Sequence, residues 1–495
     1  MGLFLALLYI FGAYLSPDTL YGSYADYHLQ LIVGGVALLL SLLSIQGSGV
    51  FRLTQSYSLL LMCVAVVLSF VANGLYGLSI TAILSFVPNA FIFYLILLTC
   101  RKKWHLQLVV AAFLVICLNT LVQGAWAIHI NFLRSPYLML MGVDDEGGTI
   151  TRLRGLAFIN DPNDFAQLLV SLVPCVFFFW KPGRSLRNTL FVLLPVAALV
   201  YAMFLTHSRG AILALLAVVI LAGRRKLGTV PSAIIGGLLF AVSMAAGWSG
   251  GRDMSMGAGE ERMEAWSTGL QLIRSHPIFG VGFGRFSEYY YITAHNTIVV
   301  CAAELGVLGL FAWVLFVFAS LRDTYLASKW DGTVVEAETE PDSPLPEYLR
   351  TAAVRAPAPL RLQTAAAGPA PHLRAATSPV TTRSATIAAP PPYLTDATPD
   401  DEGVPPPEEI RRLARLMVLS LAGYLVAGWF LSRAYVMTLF IYCGMIEVIY
   451  SWALKRQMVP ARIPPLRLMR ISLMLAIGLV TLVYVMLRVQ RLMPH

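Results

Sequence analysis

The sequence carries little charge for its length. Only 13% of its 495 residues are Asp, Glu, Lys or Arg, about half the roughly 25% of a soluble globular protein. Three long stretches contain no charge at all: Leu29–Ser44, Ser58–Ala72 and Val192–Leu205. They are apolar on every side, as helices facing lipid are. A very large soluble enzyme with buried core helices is the alternative, but one chain would not need a dozen of them, so we expect a membrane protein.

Paired cysteines and metal-ligand spacings are also missing. None of the six cysteines has C-x-x-C or His/Cys ligand spacing, and all fall inside apolar stretches: Cys63, Cys100, Cys117, Cys175, Cys301 and Cys443. Neither a disulfide framework nor a zinc site is therefore expected. The formal net charge is +9, but no basic stripe alternates with aromatic residues, which argues against a nucleic-acid partner. The apolar start, Met1–Ser16, lacks a basic leader and a clear cleavage site, so we interpret it as the first span.

Lysine is scarce, and its distribution predicts a topology. Thirteen candidate spans start near residues 1, 29, 57, 80, 105, 164, 188, 211, 229, 296, 413, 436 and 470. With the N-terminus in the cytoplasm, all six lysines fall on the cytoplasmic side, as the positive-inside rule requires. The opposite face carries arginine without lysine. We therefore predict an all-α, polytopic integral membrane protein with about 12–13 transmembrane helices, in the inner (cytoplasmic) membrane of a bacterium.

One segment differs in composition from the rest. Residues 331–410 hold 15 of the 28 prolines and show no apolar periodicity. Such a segment cannot bury enough surface to offset its ordering entropy, so we predict a disordered cytoplasmic loop over 321–412. A spacer is favoured over a docking site. The loop separates three further regions: N-terminal transmembrane helices (1–130), a core with two periplasmic loops (131–320) and C-terminal transmembrane helices (413–495).

Two predicted periplasmic loops are long enough to carry chemistry, His129–Asn163 and Gly247–Ala294. In the second, Glu261–Ser275 has helical apolar spacing and predicts an amphipathic helix. Gly280, Gly282 and Gly284 then form a GxGxG run after a proline. Because this run does not stand in a βαβ setting, it indicates a tight turn and not a dinucleotide site.

Five short motifs in this region occur in a fixed order. They are Ser208-Arg209-Gly210, Arg262-x-x-x-Trp266, Pro277-x-Phe279-Gly280-x-Gly282-x-Gly284-x-Phe286, Ala294-His295-Asn296 and Glu304-Leu305-Gly306. In this order, on a chain with many spans, they resemble the O-antigen ligase / Wzy polymerase family. The earlier Arg154–Asn163 stretch is also similar to that family. The resemblance covers about residues 152–318, and the long proline-rich loop departs from the family's compact pattern.

The resemblance implies a glycosyltransferase that depends on a lipid carrier. It would move a glycan from undecaprenyl diphosphate to an acceptor hydroxyl at the periplasmic face, in O-antigen or exopolysaccharide polymerisation or ligation. The acceptor would be a growing glycan or the lipid A core of lipopolysaccharide. No nucleotide sugar, metal or other cofactor is implied.

The residue types suit this chemistry. A diphosphate leaving group needs its charge neutralised, for which planar guanidinium groups are well suited. We therefore predict that arginines bind the substrate: Arg209, Arg262, Arg154, Arg285 and Arg433. The acceptor hydroxyl needs a base near neutral pH, and His295 is the predicted catalytic residue.

Each of these residues also has a purely structural interpretation. Arg209 would anchor a span end at the headgroups, Arg262 would pair with a neighbouring glutamate, and His295 would sit passively at a helix start. Asp161–Asp164 would cap a helix, and the acids 144–146 would form an exposed loop in place of a cation site. Glu304 lies inside a span, where an ionisable group is usually paired or functional.

A transporter of small anions or other solutes is the rival function. Arginines around membrane cavities also serve anion paths, but a transporter would show broken helices in matching halves of the chain. No internal repeat is present. The sequence does not separate ligase from polymerase, because that choice depends on the acceptor.

Overall fold

The computed structural model describes residues 2–16, 32–37, 39, 50, 53–131, 135–143, 148–246, 248, 257–331, 403–460 and 465–492. Within these ranges the longer helices are α1 (Gly2–Leu15), α2 (Thr54–Val71), α3 (Tyr76–Thr99), α4 (Lys103–His129), α5 (Pro162–Val176), α6 (Ser185–Thr206), α7 (Arg209–Leu227), α8 (Thr229–Ala245), α9 (Gly257–Ser275), α10 (Thr297–Lys329), α11 (Pro407–Gly428), α12 (Met437–Lys455) and α13 (Pro465–Leu492). The acids at 144–146 and nearly all of the proline-rich loop lie outside the described residues.

The prediction of an all-α polytopic membrane protein is confirmed. Eight helices in the described ranges are long and apolar enough to cross a membrane: α2, α3, α4, α5, α6, α10, α12 and α13. Twelve of the thirteen predicted positions carry one of the helices above, and near position 29 only residues 32–37 and 39 are described, all helical. The remaining helix, α9, contains the predicted amphipathic segment.

Helix α10 lies at the centre of the bundle. It packs against α2, α11, α12 and α13, while α12 also packs on α3, and α5 on α11. The spans α5, α10 and α12 are mostly buried, whereas only a minority of the residues in α6 and α13 are buried. Such outward apolar faces suit contact with lipid tails.

Within the described residues, a short hairpin departs from the helical architecture that the composition predicts. Strand β1 (Met139–Val143) pairs antiparallel with β2 (Thr149–Leu153), with Leu140 opposite Arg152. Leu153 is buried against α4, where its side chain fills the space beside Gly124. The hairpin therefore turns the first long loop back onto the bundle and leads the chain into α5.

Helix α10 is broken at Gly306, which has φ 65° and ψ −167°. The segment Pro277–Gly284 docks against this break through its backbone. Val281 and Gly282 donate their N–H groups to the carbonyls of Ala303 and Glu304, both at 3.0 Å, and Val307 donates to the carbonyl of Pro277 at 2.9 Å. The docked segment therefore supplies hydrogen-bond partners that the broken helix lacks.

The approach of these two backbones requires glycine on both sides. A Cβ atom on Gly280 would lie 2.3 Å from the main chain of Glu304, and one on Gly306 would lie 2.3 Å from that of Ile278. Both glycines also have positive φ, which a side chain disfavours. The GxGxG run and the Glu304-Leu305-Gly306 motif are thus two halves of one contact.

A second, largely buried polar group lies elsewhere in the bundle. The Gln55 amide nitrogen donates to the carboxylates of Asp323, at 3.0 Å, and Glu447, at 2.5 Å. Arg322 pairs with Asp323 at 2.7 Å. We refer to Gln55, Arg322, Asp323 and Glu447 as the buried acidic cluster.

Candidate functional site

Three helix N-termini frame one end of the bundle, and each has a side-chain cap. Asp161 caps α5 by accepting the N–H of Asn163 at 2.8 Å, with Pro162 in the first turn. Ser208 caps α7, so Arg209 is the first residue of that helix. Asn296 caps α10 by accepting the N–H groups of Ile298 and Val299. Such termini carry partial positive charge and favour anions.

The segment between α11 and α12 joins two of these termini. The guanidinium of Arg433 forms an ion pair with Asp164 in the first turn of α5. The Arg433 backbone N–H donates to the Thr297 hydroxyl at 3.3 Å, and that hydroxyl donates to the carbonyl of Leu431 at 2.8 Å. Arg433 is therefore held between the starts of α5 and α10.

Arg152 joins the start of α7 to the start of α5. Its guanidinium donates to the carbonyl of Thr206, just before α7, at 2.9 Å and to the side chain of Asn163 at 3.2 Å. The side chain is 9% exposed. Arg152 thus binds the hairpin to the starts of α5 and α7.

His295 immediately precedes the cap of α10 and has a left-handed backbone, with φ 47°. Burial lowers the pKa of its imidazole below the ordinary value, and the positive charges of Arg262 and Arg433 lower it further, while Asp161 opposes them. The neutral form is therefore favoured near neutral pH, as a base requires.

The ring of His295 differs from the other histidines that the structure describes. His105, His129, His207 and His276 each have a ring nitrogen within hydrogen-bond distance of a neighbour: Thr99, Tyr201, Trp248 and Ser275. Neither ring nitrogen of His295 bonds to a described residue. Its hydrogen-bonding capacity is available to a ligand.

Arg262 faces the same space from α9. Burial lowers the pKa of its guanidinium, and the nearby charge of Arg209 lowers it further, while Asp161 opposes both. Within the described ranges, Arg262 donates no hydrogen bond. Two arginines from different helices thus lie close enough for their positive charges to repel each other.

We call Arg209, Arg262, Arg433, His295, Asp161 and Asp164 the arginine–histidine cluster. Its three guanidinium groups outnumber its two carboxylates, one of which is paired with Arg433. The partial charges of the helix N-termini add to the excess. The arrangement can bind an anionic group and present a neutral imidazole beside it.

Comparison with known families identifies one part of the chain. Residues 194–314 match the family model of the O-antigen ligase. The chain carries an O-antigen ligase domain. The match confirms the family resemblance and indicates a membrane enzyme of O-antigen or polysaccharide assembly that transfers glycosyl groups. No curated protein matches the chain.

The O-antigen ligase domain contains three of the six residues of the arginine–histidine cluster. Arg209, Arg262 and His295 lie within the matched residues. Asp161 and Asp164 precede them and Arg433 follows them, yet the structure brings all three to the same place. The cluster therefore combines the domain with helices before and after it.

Two predicted substrate-binding arginines lie apart from the cluster. Arg154 donates to the carbonyl of Tyr137 at 3.0 Å, within the hairpin region. Arg285, in the ligase domain, forms an ion pair with Glu288 at 2.5 Å and donates to the carbonyl of Val281. Among the described contacts, none links either guanidinium to the cluster, and their predicted roles remain predictions.

The structure gives a role to Arg152, which the sequence analysis did not single out: it binds two helix starts. Glu304 of the ligase domain is paired, because its carboxylate accepts the N–H of Phe286 at 3.3 Å. That carboxylate holds the loop after the glycine run, which accounts for an acid inside α10.

Proposed function

We propose that the chain transfers a glycan from undecaprenyl diphosphate to an acceptor hydroxyl at the periplasmic face of the bacterial inner membrane. The segregation of lysine onto one predicted face supports this orientation. The acceptor would be a growing glycan or the lipid A core, giving polymerisation or ligation. The observation that carries the proposal is the imidazole of His295, which bonds to no described residue and lies beside Arg262 and Arg433.

The arginines would stabilise the leaving group. As the bond between the anomeric carbon and the diphosphate oxygen breaks, the electron pair goes to that oxygen and the negative charge grows. Arg209 and Arg262 would each present two parallel N–H donors to the phosphates. Arg433 is a third candidate contact, although Asp164 already occupies one of its donors.

His295 would act as the general base. The acceptor oxygen attacks the anomeric carbon, its proton passes to a ring nitrogen of His295, and undecaprenyl diphosphate departs as an anion. The products are the glycosylated acceptor, the lipid diphosphate and a protonated imidazole, which returns its proton to water. One such displacement inverts the anomeric configuration.

The lipid-linked glycan pool tests the proposal in cells. We expect a deletion strain to accumulate undecaprenyl-linked glycan, as seen by mass spectrometry of the lipid extract. A plasmid carrying the wild-type gene or the His276→Ala variant should clear the accumulated glycan, and the His295→Ala variant should not. An unchanged pool in the deletion strain would contradict the proposal and favour the transporter.

A further inference from the structure

The backbone of His295 needs support from its surroundings. Its φ of 47° lies in the left-handed region, which residues other than glycine rarely adopt. Such a conformation persists only where neighbouring groups hold it. The contacts of the two peptide groups that flank His295 identify these neighbours.

The peptide after His295 is held by the cap of α10. The side-chain amide of Asn296 donates to the carbonyl of Trp429 at 3.1 Å, and its oxygen accepts two N–H groups of the first turn. Asn296 is completely buried. This side of His295 is therefore fixed by the helix start and by the end of α11.

The peptide before His295 is held by α9. The indole N–H of Trp266 donates to the carbonyl of Ala294 at 2.7 Å, and both residues are buried. The indole also packs edge-on against Trp429, with 6.2 Å between ring centroids. A single side-chain hydrogen bond thus fixes the orientation of the peptide that leads into His295.

Trp266 stands four residues after Arg262, so the two side chains project from the same face of α9. The helix lies tightly on α10, since a Cβ atom on Gly269 would be 2.3 Å from the side chain of Val299. The helix that carries Arg262 therefore also bears the group that holds the histidine loop. This accounts for the spacing of four between Arg262 and Trp266 in the motif.

We propose that Trp266 is a positioning residue that holds His295 in its left-handed conformation through the hydrogen bond to the Ala294 carbonyl. The role of Trp266 in holding the His295 backbone does not depend on the proposed function. The expected effect of Trp266 on the transfer rate does, because it requires His295 to be the base.

Loss of the bond would expose the imidazole to water. The charged groups that face His295 are Arg262 on α9, Asp161 at the start of α5 and Arg433 before α12. Because burial is the largest cause of its lowered pKa, a looser loop would raise that pKa toward the ordinary value of about 6.5. A base works only in its neutral form, so the acidic limb of the rate profile would move to higher pH.

The Trp266→Phe variant removes the N–H and keeps an aromatic ring. With reconstituted enzyme and lipid-linked donor we expect kcat to fall about tenfold to hundredfold, as for a slightly misplaced catalytic group, with the KM for donor nearly unchanged. The acidic limb should move to higher pH. A general loss of folded enzyme would lower the whole profile without moving that limb.

Trp313→Phe is a matched control. The Trp313 indole is also buried and donates to a backbone carbonyl, that of Ala434, at 2.8 Å. Its loss should leave the acidic limb in place. If Trp266→Phe fails to fold, an isosteric analogue with sulfur in place of the indole N–H can be introduced at the same position, with the same expected results.

A chemical readout separates this proposal from the function. Diethyl pyrocarbonate modifies neutral imidazoles, and peptide mass spectrometry gives its rate at each histidine of the full chain, measured well above pH 6.5. We expect His295 to react several-fold faster in Trp266→Phe than in wild type or Trp313→Phe, with His276 unchanged. An unchanged rate at His295 together with an unmoved acidic limb would overturn the proposal. Faster modification combined with full transfer by His295→Ala would support the positioning role and contradict the proposed function.

Discussion

The arginine–histidine cluster and the buried acidic cluster are both polar groups in a largely apolar bundle, but they are built differently. The first joins the starts of α5, α7 and α10 and has more guanidinium groups than carboxylates. The second lies within α2, α10 and α12, where Gln55 donates to two carboxylates and Arg322 pairs with one of them. The second cluster has more carboxylates than guanidinium groups, and it too contains buried atoms without a partner among the described residues, Gln55 Oε1 and Arg322 Nη2. The sign of the charge balance therefore distinguishes the two clusters, and only the first is suited to an anion.

The two clusters are also well separated. His295 immediately precedes α10, whereas Arg322 and Asp323 lie near the other end of that helix. The part of α10 from Gly306 to Asp323 alone spans roughly 25 Å. A substitution in one cluster should therefore leave the other largely unaffected, which makes them suitable for direct comparison.

The largest expected effect on rate is at His295. His295→Ala should lower the transfer rate by about 10²–10⁴-fold, as expected for removal of a general base. Its thermal unfolding in detergent should match that of wild type, because the imidazole makes no hydrogen bond to a described residue. His276→Ala is the control and should transfer normally in reconstituted membranes. A near-normal rate in His295→Ala beside an inactive His276→Ala would require a different base.

Arginine-to-lysine variants should have the next largest effect. Arg209→Lys and Arg262→Lys keep the charge but lose the paired donors. A hydrogen bond to a charged group is worth about 1.5–3 kcal/mol, so each variant should transfer roughly tenfold to hundredfold more slowly. Arg274→Lys, on the exposed last turn of α9, is the matched control. If both lysine variants kept the wild-type rate with purified donor, the two arginines would be membrane anchors.

The smallest effect on rate, and the largest on stability, is expected in the buried acidic cluster. Glu447→Ala leaves the Gln55 amide short of an acceptor and should lower the free energy of unfolding by about 1–3 kcal/mol. Glu447→Gln retains an acceptor oxygen and should be milder. Thermal denaturation measures both, and the transfer rate per folded molecule should stay at the wild-type level. A rate lost in Glu447→Gln at normal stability would mean that this cluster takes part in the chemistry.

The sequence predicted the helices well because lipid imposes a simple rule. A span needs a long run of apolar residues, and such runs can be read without knowing what they contact. The caps at Asp161 and Asn296 were also predictable from residue type, since their hydrogen bonds join near neighbours. The hairpin was not, because its two strands are short and its loop carries little apolar pattern.

The composition of the site was less predictable, because its contacts join distant parts of the chain. Asp164 and Arg433 are 269 residues apart and form an ion pair. Arg152 and Arg154 look alike in sequence, yet only Arg152 reaches the starts of α5 and α7. Periodicity and spacing do not carry such information. The break in α10 was missed for a related reason, since a single glycine within a span gives no sign that another segment docks there.

The contact between the docked loop and α10 specifies very little of the sequence around it. Its hydrogen bonds are made by main-chain atoms, so no particular side chain is needed at Val281, Val307 or Leu308 to form them. What the contact demands is that Gly280 and Gly306 have no side chain at all. Side chains there are constrained only by their other contacts, as Val281 is by its burial among apolar residues. A substitution at one glycine cannot be rescued by a smaller residue at the other, because neither glycine can become smaller. The sequence requirement of this joint is therefore the absence of a Cβ atom at Gly280 and at Gly306.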